Sequence, residues 1–474
     1  MSTERKEKMK MKKAKRIFAA ILAACMLQTG ALGMAVNAGA ESPLSVISSY
    51  TSGPAVKATA GAGKIKLAWK EITGATKYRV YSYRDGKLSK LTDVTKCSVT
   101  VKGVRTGKEY TFAVRAYVNG SWTGVTKNDL VRVTASESSA ANGRKMLSLW
   151  KDDARAKAEL ISYVEAVTKE GGKDYIPVRN RIAVFDLDGT LFCETDPNYF
   201  DYTLLKYRVL EDPGYKDKAS DFEKEVANKI KEQNETGASF DGLDVDHGKA
   251  VASAFAGMTL AEFNAYIQEF KKQPMPNYEG MLRGEGFYKP MLEVVNYLKA
   301  NDFTVYVVSG TDRFIVRGIA DNSPLDLPNS QLIGSDELLV SDRQNGTDGL
   351  KYTFTDKDKL VLGGEFIIKN LKMNKVTVIA QEIGEQPVLS FGNSTGDSSM
   401  AEYVTTNNKY KSLAFMLCCD DTERENGNVG KADNMFSLCD EFDWVPVSMK
   451  NDWTTIYGDG VTYTGAKAAA APAA

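Results

Sequence analysis

The sequence predicts a multidomain chain: an all-β sandwich, then an α/β domain on a parallel sheet that carries a helical insertion. Three observations lead there. From about residue 52 to 135, short alternating runs are separated by Gly, Thr and Asp with little helical periodicity. Further on, the apolar runs at Ile182-Phe185, Phe303-Val308 and Val388-Phe391 each stop abruptly at polar residues, as buried parallel strands do at their carboxyl ends. The first two of these runs are separated by about 120 residues, far more than a strand-helix-strand crossover requires.

The elements follow in chain order. Lys6 to Arg16 form a basic start, an apolar stretch runs from Ile17 through Leu27 to Val36, and Ala38-Gly39-Ala40 precedes Glu41. This pattern resembles a secretory signal peptide over residues 1-40 and implies a secreted or extracellular, bacterial protein. Gln28, Thr29 and the glycines leave too few consecutive apolar residues for a membrane span, so no transmembrane segment is expected after cleavage. Leu22-Ala23-Ala24-Cys25 is similar to a lipobox, which would make Cys25 a lipidated terminus; the apolar run continuing past Cys25 argues against that alternative.

Ile65-Trp69, Tyr78-Tyr83 and Tyr110-Tyr117 alternate apolar and polar residues, as half-buried strands do. Trp69, Tyr78, Val104, Gly107 and Tyr110 fall where fibronectin type III modules place core residues, and Tyr110 resembles the tyrosine corner of that sandwich. The region 52-135 is therefore expected to be a fibronectin type III-like β-sandwich. It is expected to be a spacer or a contact to cell-wall material or carbohydrate, not a catalytic unit. Residues 136-145, rich in Ser and Ala, read as a linker.

Asp186-Leu187-Asp188-Gly189-Thr190 ends the first buried strand. Side chains two apart on extended backbone share a face, so both carboxylates project from the strand's carboxyl end, where open parallel sheets bind ligands. Two clustered carboxylates repel each other, and a cation or a proton relieves that. The second run ends at Ser309-Gly310-Thr311. A lysine, Lys375, opens a segment with Val378, Ile379 and Ile383 at helical spacing, and the third run ends in Gly392-Asn393-Ser394-Thr395-Gly396-Asp397.

These four segments, in this order, resemble the motif set of the haloacid dehalogenase (HAD) superfamily of phosphohydrolases. The resemblance implies a Rossmann-like core over 146-462 and a cap inserted at about 195-286 between the first and second motifs; the low-complexity Ala/Pro run at the end makes 463-474 an expected disordered tail. The resemblance further implies an HAD-type phosphoric monoester hydrolase acting through an aspartyl-phosphate, with Asp186 as nucleophile and Asp188 as general acid and base. Ser309 and Lys375 would complete the catalytic set, with Ser309, Gly310 and Lys375 binding phosphate. Mg²⁺ would be held among Asp186, Asp188, Asn393 and Asp397. Many family members carry an aspartate where Asn393 stands, which leaves open whether Asn393 or Asp397 ligates the ion directly. The carboxylate at Asp188 argues against a dehalogenase, since halide leaves without a proton.

Phe222-Lys231 and Leu260-Phe270 carry helix-period apolar residues, as a helical cap would. Tyr199, Phe200, Tyr202, Tyr207 and Phe255 are candidates to line the site, against the plainer expectation of ordinary core. His247 is the only histidine, so a zinc site is not expected; its polar surroundings, Asp244-Val245-Asp246-His247-Gly248, point to a surface or turn position. Lysine plus arginine and aspartate plus glutamate number 61 each, which gives no reason to expect nucleic acid as a partner. Cys97, Cys193, Cys418, Cys419 and Cys439 lack metal-ligand spacing; a bridge from Cys418 or Cys419 to Cys439 and buried free thiols are both open. The function expected is a secreted Mg²⁺-dependent phosphatase acting on a small phosphorylated metabolite. The alternatives are a cell-surface binding or adhesion protein with an inactive hydrolase-like domain, and a phosphotransferase or phosphonatase on the same scaffold.

Overall fold

The computed structural model describes residues 53-61, 64-84, 86-104, 108-134, 139-194 and 199-465. The expected signal peptide with Cys25, Gly107, residues 135-138 of the region around the linker, and 466-474 of the tail lie outside the described residues. Cα proximity divides the chain into two compact units. One is built from 68-99 and 110-132 with the stretch up to Lys57, the other from 58-67, 100-109 and 133 onward.

The amino-terminal region is all β, with strands β1 (Val56–Gly61), β2 (Lys64–Trp69), β3 (Ala75–Arg84), β4 (Lys87–Val94), β5 (Ser98–Lys102), β6 (Glu109–Val118), β7 (Ser121–Trp122) and β8 (Val131–Thr134). β1, β2 and β5 form one sheet; β4, β3, β6 and β7 form another, in which β8 also pairs with β6. Strand alternation sets the buried face of the second sheet. Tyr78 and Val80 of β3 lie opposite Ala116 and Val114 of β6, and all four are buried. Trp69 joins Tyr78 at 5.4 Å between ring centroids, and the Tyr78 hydroxyl accepts the Ile72 amide at 3.0 Å.

The second unit is built on a seven-stranded sheet. Its strands are β9 (Ile182–Phe185), β11 (Thr304–Asp312), β12 (Leu332–Ser341), β13 (Leu360–Ile368), β14 (Leu389–Gly392), β15 (Leu413–Cys418) and β16 (Val445–Ser448). The order is β13-β12-β11-β9-β14-β15-β16; all neighbouring pairs are parallel except the edge pair β12-β13. Every residue of β9 and β14 is buried, which is why these strands read as unbroken apolar runs. Because the chain leaves β9 for β11 on one side and returns to β14 on the other, the crevice beyond β9 is the topological switch point where such sheets hold ligands. Beneath it Phe185, Phe391 and Phe415 stack across β9, β14 and β15 at 4.2 and 4.9 Å.

The helices of this unit are α1 (Ser139–Met146), α2 (Arg155–Thr168), α3 (Phe200–Lys206), α4 (Asp221–Thr236), α5 (Leu243–Ala254), α6 (Leu260–Phe270), α7 (Lys289–Ala300), α8 (Arg313–Ala320), α9 (Met373–Val378), α10 (Ser398–Thr405), α11 (Val429–Phe442) and α12 (Met449–Asp452). α3 to α6 are the insertion between β9 and β11. Reciprocal capping boxes, Ser220 with Glu223 and Thr259 with Glu262, start α4 and α6. The two ends of the insertion are tied together: the Cys193 amide donates to Gly286 O at 2.8 Å and the Tyr288 amide to Leu191 O at 2.9 Å.

Three features differ from the sequence expectations. α1 begins inside the stretch read as a linker, because Ser and Ala tolerate a helix as well as a coil. β17 (Thr462–Tyr463) pairs antiparallel with β10 (Tyr278–Glu279), so the tail expected from residue 463 opens with a paired strand held by the Tyr278-Tyr463 ring contact. The long β12-β13 hairpin after the second motif was not foreseen. It is clasped to the insertion through the Gly257 amide to Leu362 O at 2.8 Å and the Leu362 amide to Met258 O at 2.9 Å.

Candidate active site

Asp186 follows β9 directly, and its backbone amide donates to Phe391 O at 2.9 Å, locking the first motif to β14. Gly189 turns the chain at φ 79°. A Cβ there would fall 1.9 Å from Asn393 Nδ2, so both the turn and the close approach of the fourth-motif loop require glycine. The sequence-predicted carboxylates Asp186, Asp188 and Asp397 and the amide Asn393 line one cavity of about 140 Å³, together with Gly310.

Lys375, on α9, is fully buried just behind that cavity and uses all three of its protons. It donates to Asp186 Oδ1 at 2.5 Å, to Val308 O at 2.6 Å and to Asp397 Oδ1 at 2.7 Å, so one ammonium ties the ends of β9, β11 and β14 together. Burial pushes this ammonium down, but the Asp186 and Asp397 carboxylates outweigh it and hold it protonated. Asp397 Oδ2 is gripped separately, accepting the amides of Asn393 and Ser394 at 3.1 Å each and the Ser394 hydroxyl at 3.2 Å.

Ser309 is placed differently from Gly310. Its hydroxyl is fully buried, accepts the Thr311 amide at 3.0 Å and stands 3.5 Å from Asp188 Oδ2, so it holds the second carboxylate and does not face the cavity. Thr311 does face it, and its hydroxyl donates to Asp188 Oδ2 at 2.7 Å. Asp188 Oδ1 is buried and has no hydrogen-bond partner among the described residues.

The electrostatics separate the two first-motif carboxylates. Burial, with the charge of Asp397 and against that of Lys375, pushes Asp186 up to about 7. Burial, with Asp201 and then Asp186 adding their charges, raises Asp188 well above the usual carboxylate range. One group with a strong cationic partner and a neighbour biased towards its protonated form is the division of labour that nucleophilic and acid-base roles need.

Sequence reasoning did not single out several of the groups around this cavity. Asp201 and Asp244, from α3 and α5 of the cap, line it with Tyr199 and Tyr202; Lys369 and Leu371, which follow β13, close another side. Glu194 accepts Asn393 Nδ2 at 3.0 Å and the Tyr199 hydroxyl at 2.9 Å, which turns the Asn393 amide. Of the five aromatic candidates only Tyr199 and Tyr202 reach the cavity. Phe200 and Tyr207 pack on Phe270, and Phe255 packs on Phe263 and Tyr266, because their helical positions face the core.

His247 is not at the surface. It is 1% exposed, its ring lies 4.1 Å from that of Tyr202, and its Nδ1 stands 3.9 Å from Asp201 Oδ2. Burial pushes its pKa down to about 4, so the ring is neutral. The turn-like run around it is in fact the first part of α5, which presents residues 247, 250, 251 and 254 to the core. The described cysteines, Cys97, Cys193, Cys418, Cys419 and Cys439, form no disulfide with one another.

The donor set suits a hard divalent cation. Asp186, Asp188, Asn393 and Asp397 offer only oxygens apart from one amide nitrogen, which Glu194 already occupies. The unpartnered Asp188 Oδ1 and the mutual repulsion of Asp186 and Asp397 are the kind of strain such an ion relieves. Among the described residues no three His, Cys, Asp or Glu side chains come together as a group that could hold a metal ion by themselves. An ion here would therefore draw on the Asn393 amide, backbone carbonyl or substrate oxygens as well, as Mg²⁺ commonly does.

Residues 183-402 match the family model for haloacid dehalogenase-like hydrolases. No curated protein matches the chain. Among solved structures, a conserved functionally unknown protein from Anaerococcus prevotii DSM 20548 is similar at 15% identity and a TM-score of 0.39, covering 62% of this chain and 91% of that one. Cytosolic 5'-nucleotidase IIIB bound to cytidine is similar at 13% identity and a TM-score of 0.39, covering 65% and 91%. An Fn3-like protein from Clostridium thermocellum is similar at 22% identity and a TM-score of 0.16, covering 19% of this chain and 94% of that one.

Proposed function

We propose that this chain, whose residues 183-402 form a haloacid dehalogenase-like hydrolase domain, is an exported, Mg²⁺-dependent phosphatase of small phosphate monoesters. The observation that carries the reading is the pairing of two chemically distinct carboxylates at the end of β9. Asp186 is bonded to Lys375, and Asp188, which lines the same cavity, is held by Thr311 through one oxygen while the other has no hydrogen-bond partner among the described residues.

In the first step an Asp186 oxygen forms a bond to phosphorus while the bond from phosphorus to the ester oxygen breaks, and Asp188 gives its proton to the departing alkoxide. In the second step Asp188, now a carboxylate, takes a proton from water as that water attacks the aspartyl-phosphate, releasing inorganic phosphate and restoring Asp186. Lys375 neutralises charge on Asp186 and the fourth-motif loop throughout. The backbone at Gly310 and the Thr311 side chain border the space that the phosphoryl oxygens would fill. Asp186, Asp188, Asn393 and Asp397 would hold Mg²⁺, which when bound would supply positive charge for the transferring group. Ser309 acts through Asp188, as a positioning residue. The pattern of residues 1-40 supports export, and amino-terminal sequencing of protein from the medium should begin at Glu41.

Turnover of p-nitrophenyl phosphate by the full chain tests the reading. Activity is expected with Mg²⁺, with loss on adding EDTA and loss of at least about 10³-fold in Asp186→Asn. A wild-type protein inactive with Mg²⁺ towards every monoester tried would instead favour a binding protein on a hydrolase scaffold.

A further inference from the structure

The cavity has two chemically different halves. The floor, from the core, carries Asp186, Asp188, Asn393 and Asp397. The rest of the lining comes from the cap, which carries Tyr199, Asp201, Tyr202 and Asp244, with Asp201 close enough to Asp188 to act on its charge. If the phosphoryl group sits on the floor, the alcohol it leaves must contact the cap side.

Charge then discriminates among alcohols. Five lining carboxylates, Asp186, Asp188, Asp201, Asp244 and Asp397, face two ammoniums, Lys369 at the rim and Lys375 behind, an excess of three formal negative charges. A divalent cation and a phosphoryl dianion entering together cancel each other and leave that excess in place. Asp201 and Asp244 carry two carboxylates on the leaving-group side.

These two carboxylates have no cation of their own. Asp201 is 2% exposed; its Oδ1 accepts the Tyr202 amide at 2.9 Å, and the neutral His247 ring is beyond hydrogen-bond length from its Oδ2. Asp244 Oδ1 accepts the amide of Val245 at 2.9 Å. Among the described residues neither forms an ion pair with a lysine or arginine, although Lys369 lines the same cavity. Beside them Tyr199 and Tyr202 meet at 5.3 Å and 61°, forming an aromatic corner. Tyr199 holds its place at φ 54°, a left-handed conformation that a bulky side chain adopts only under local constraint. A buried carboxylate, Asp201, and a half-buried one, Asp244, beside aromatic faces form a receptor for an organic cation.

Size narrows the choice further. An apolar cavity of about 150 Å³ is filled by benzene, so a phosphoryl group and a short alcohol already fill one of about 140 Å³.

The geometry points to phosphate monoesters of small cationic alcohols, primary-amine or quaternary-ammonium, as the substrates of this site, with Asp201 and Asp244 as the residues that read the cation. This rests on the phosphatase reading above and adds to it the class of leaving group.

The test compares phosphocholine with 3,3-dimethylbutyl phosphate, its neutral carbon isostere, using the full chain with Mg²⁺. Phosphoethanolamine forms a second arm that separates primary from quaternary ammonium. The kcat/KM for at least one cationic ester is expected to exceed that of the neutral isostere by about tenfold or more, and Asp201→Asn or Asp244→Asn should bring that ratio towards one. A wild-type ratio near or below one, or a ratio that neither variant changes, overturns the inference even if p-nitrophenyl phosphate is hydrolysed. If no ester turns over, the phosphatase reading fails first. Calorimetric binding of the same esters to Asp186→Asn protein then still decides the inference, because equal affinity for charged and neutral esters overturns it and a preference for the charged esters supports it.

Discussion

At the scale of single residues, Asp188 shows how burial becomes chemistry. Its proton matters only when the departing oxygen needs one, so the effect of removing it should depend on the leaving group. Asp188→Asn is expected to lower kcat/KM, which reports the first step and not the shared hydrolysis of the aspartyl-phosphate, by roughly 10² to 10⁴ for alkyl phosphates but much less for p-nitrophenyl phosphate, since p-nitrophenolate leaves without protonation. Equal losses on both substrates would show that Asp188 does not act as the acid. His247 carries a second prediction, about stability. Its folded pKa, about 4, lies below the ordinary 6.5, so between these values the unfolded chain takes up a proton at this ring that the folded chain does not. Its contribution is therefore complete above pH 6.5 and is lost as pH falls towards 4, by an amount on the order of 2 to 3 kcal/mol. His247→Gln should flatten that part of the stability profile. Urea titrations of both proteins from pH 4 to 7 check it; parallel profiles would contradict it.

Among elements, the junction of cap and core is set by a contact between α6 and α8. An added Cβ at Gly318 would fall 2.8 Å from Ile267 Cδ1 and Cγ2, and Ile267 is fully buried and β-branched, so it has little freedom to move aside. Lys271, near the end of α6, donates to the carbonyls of Gly318, Ile319 and Asp321 at 3.1, 3.0 and 2.7 Å, capping α8 from the neighbouring helix. Gly318→Val is expected to cost about 3 kcal/mol of stability through this overpacking, read as a lower urea midpoint; an unchanged midpoint would mean the helices separate freely. The same scale explains what the sequence made legible. β9, β11 and β14 are buried on both faces, so each reads as an apolar run with chemistry at its end, and Asp186, Ser309 and Asn393 were found there. The cap contributions were hidden because an acidic residue on a helix normally marks a solvated face. For Asp201 a signal existed: it interrupts the run Phe200 to Leu205, all of it buried. For His247 the periodicity of α5 was the clue, and the surrounding charges masked it. The β12-β13 hairpin mixes exposed and buried positions without a clean alternation, so Lys369 carried no mark of the cavity it reaches.

At the scale of the whole molecule, charge is balanced overall, with 61 acidic and 61 basic side chains, yet the cavity concentrates a negative excess around Asp186 and Asp397. A neutral protein lacks a general attraction for divalent cations, so an effect of Mg²⁺ on its stability reports binding at a site and not a diffuse ion atmosphere. Unfolding separates Asp186, Asn393 and Asp397, which lie over 200 residues apart in sequence at the extremes, so the ion binds the folded chain alone. Saturating Mg²⁺ should therefore raise the melting temperature, by an amount equivalent to about 2.7 kcal/mol at a hundredfold excess over Kd. Lys375 bounds the effect, because it already neutralises part of the charge that the ion would meet. Asp186→Asn removes one ligand charge and should shrink the Mg²⁺-dependent shift while leaving the response to added NaCl unchanged. Scanning calorimetry of the two proteins with and without Mg²⁺, at constant ionic strength, measures this directly. A melting temperature indifferent to Mg²⁺ in the wild type, or equally sensitive in the variant, would place the ion elsewhere.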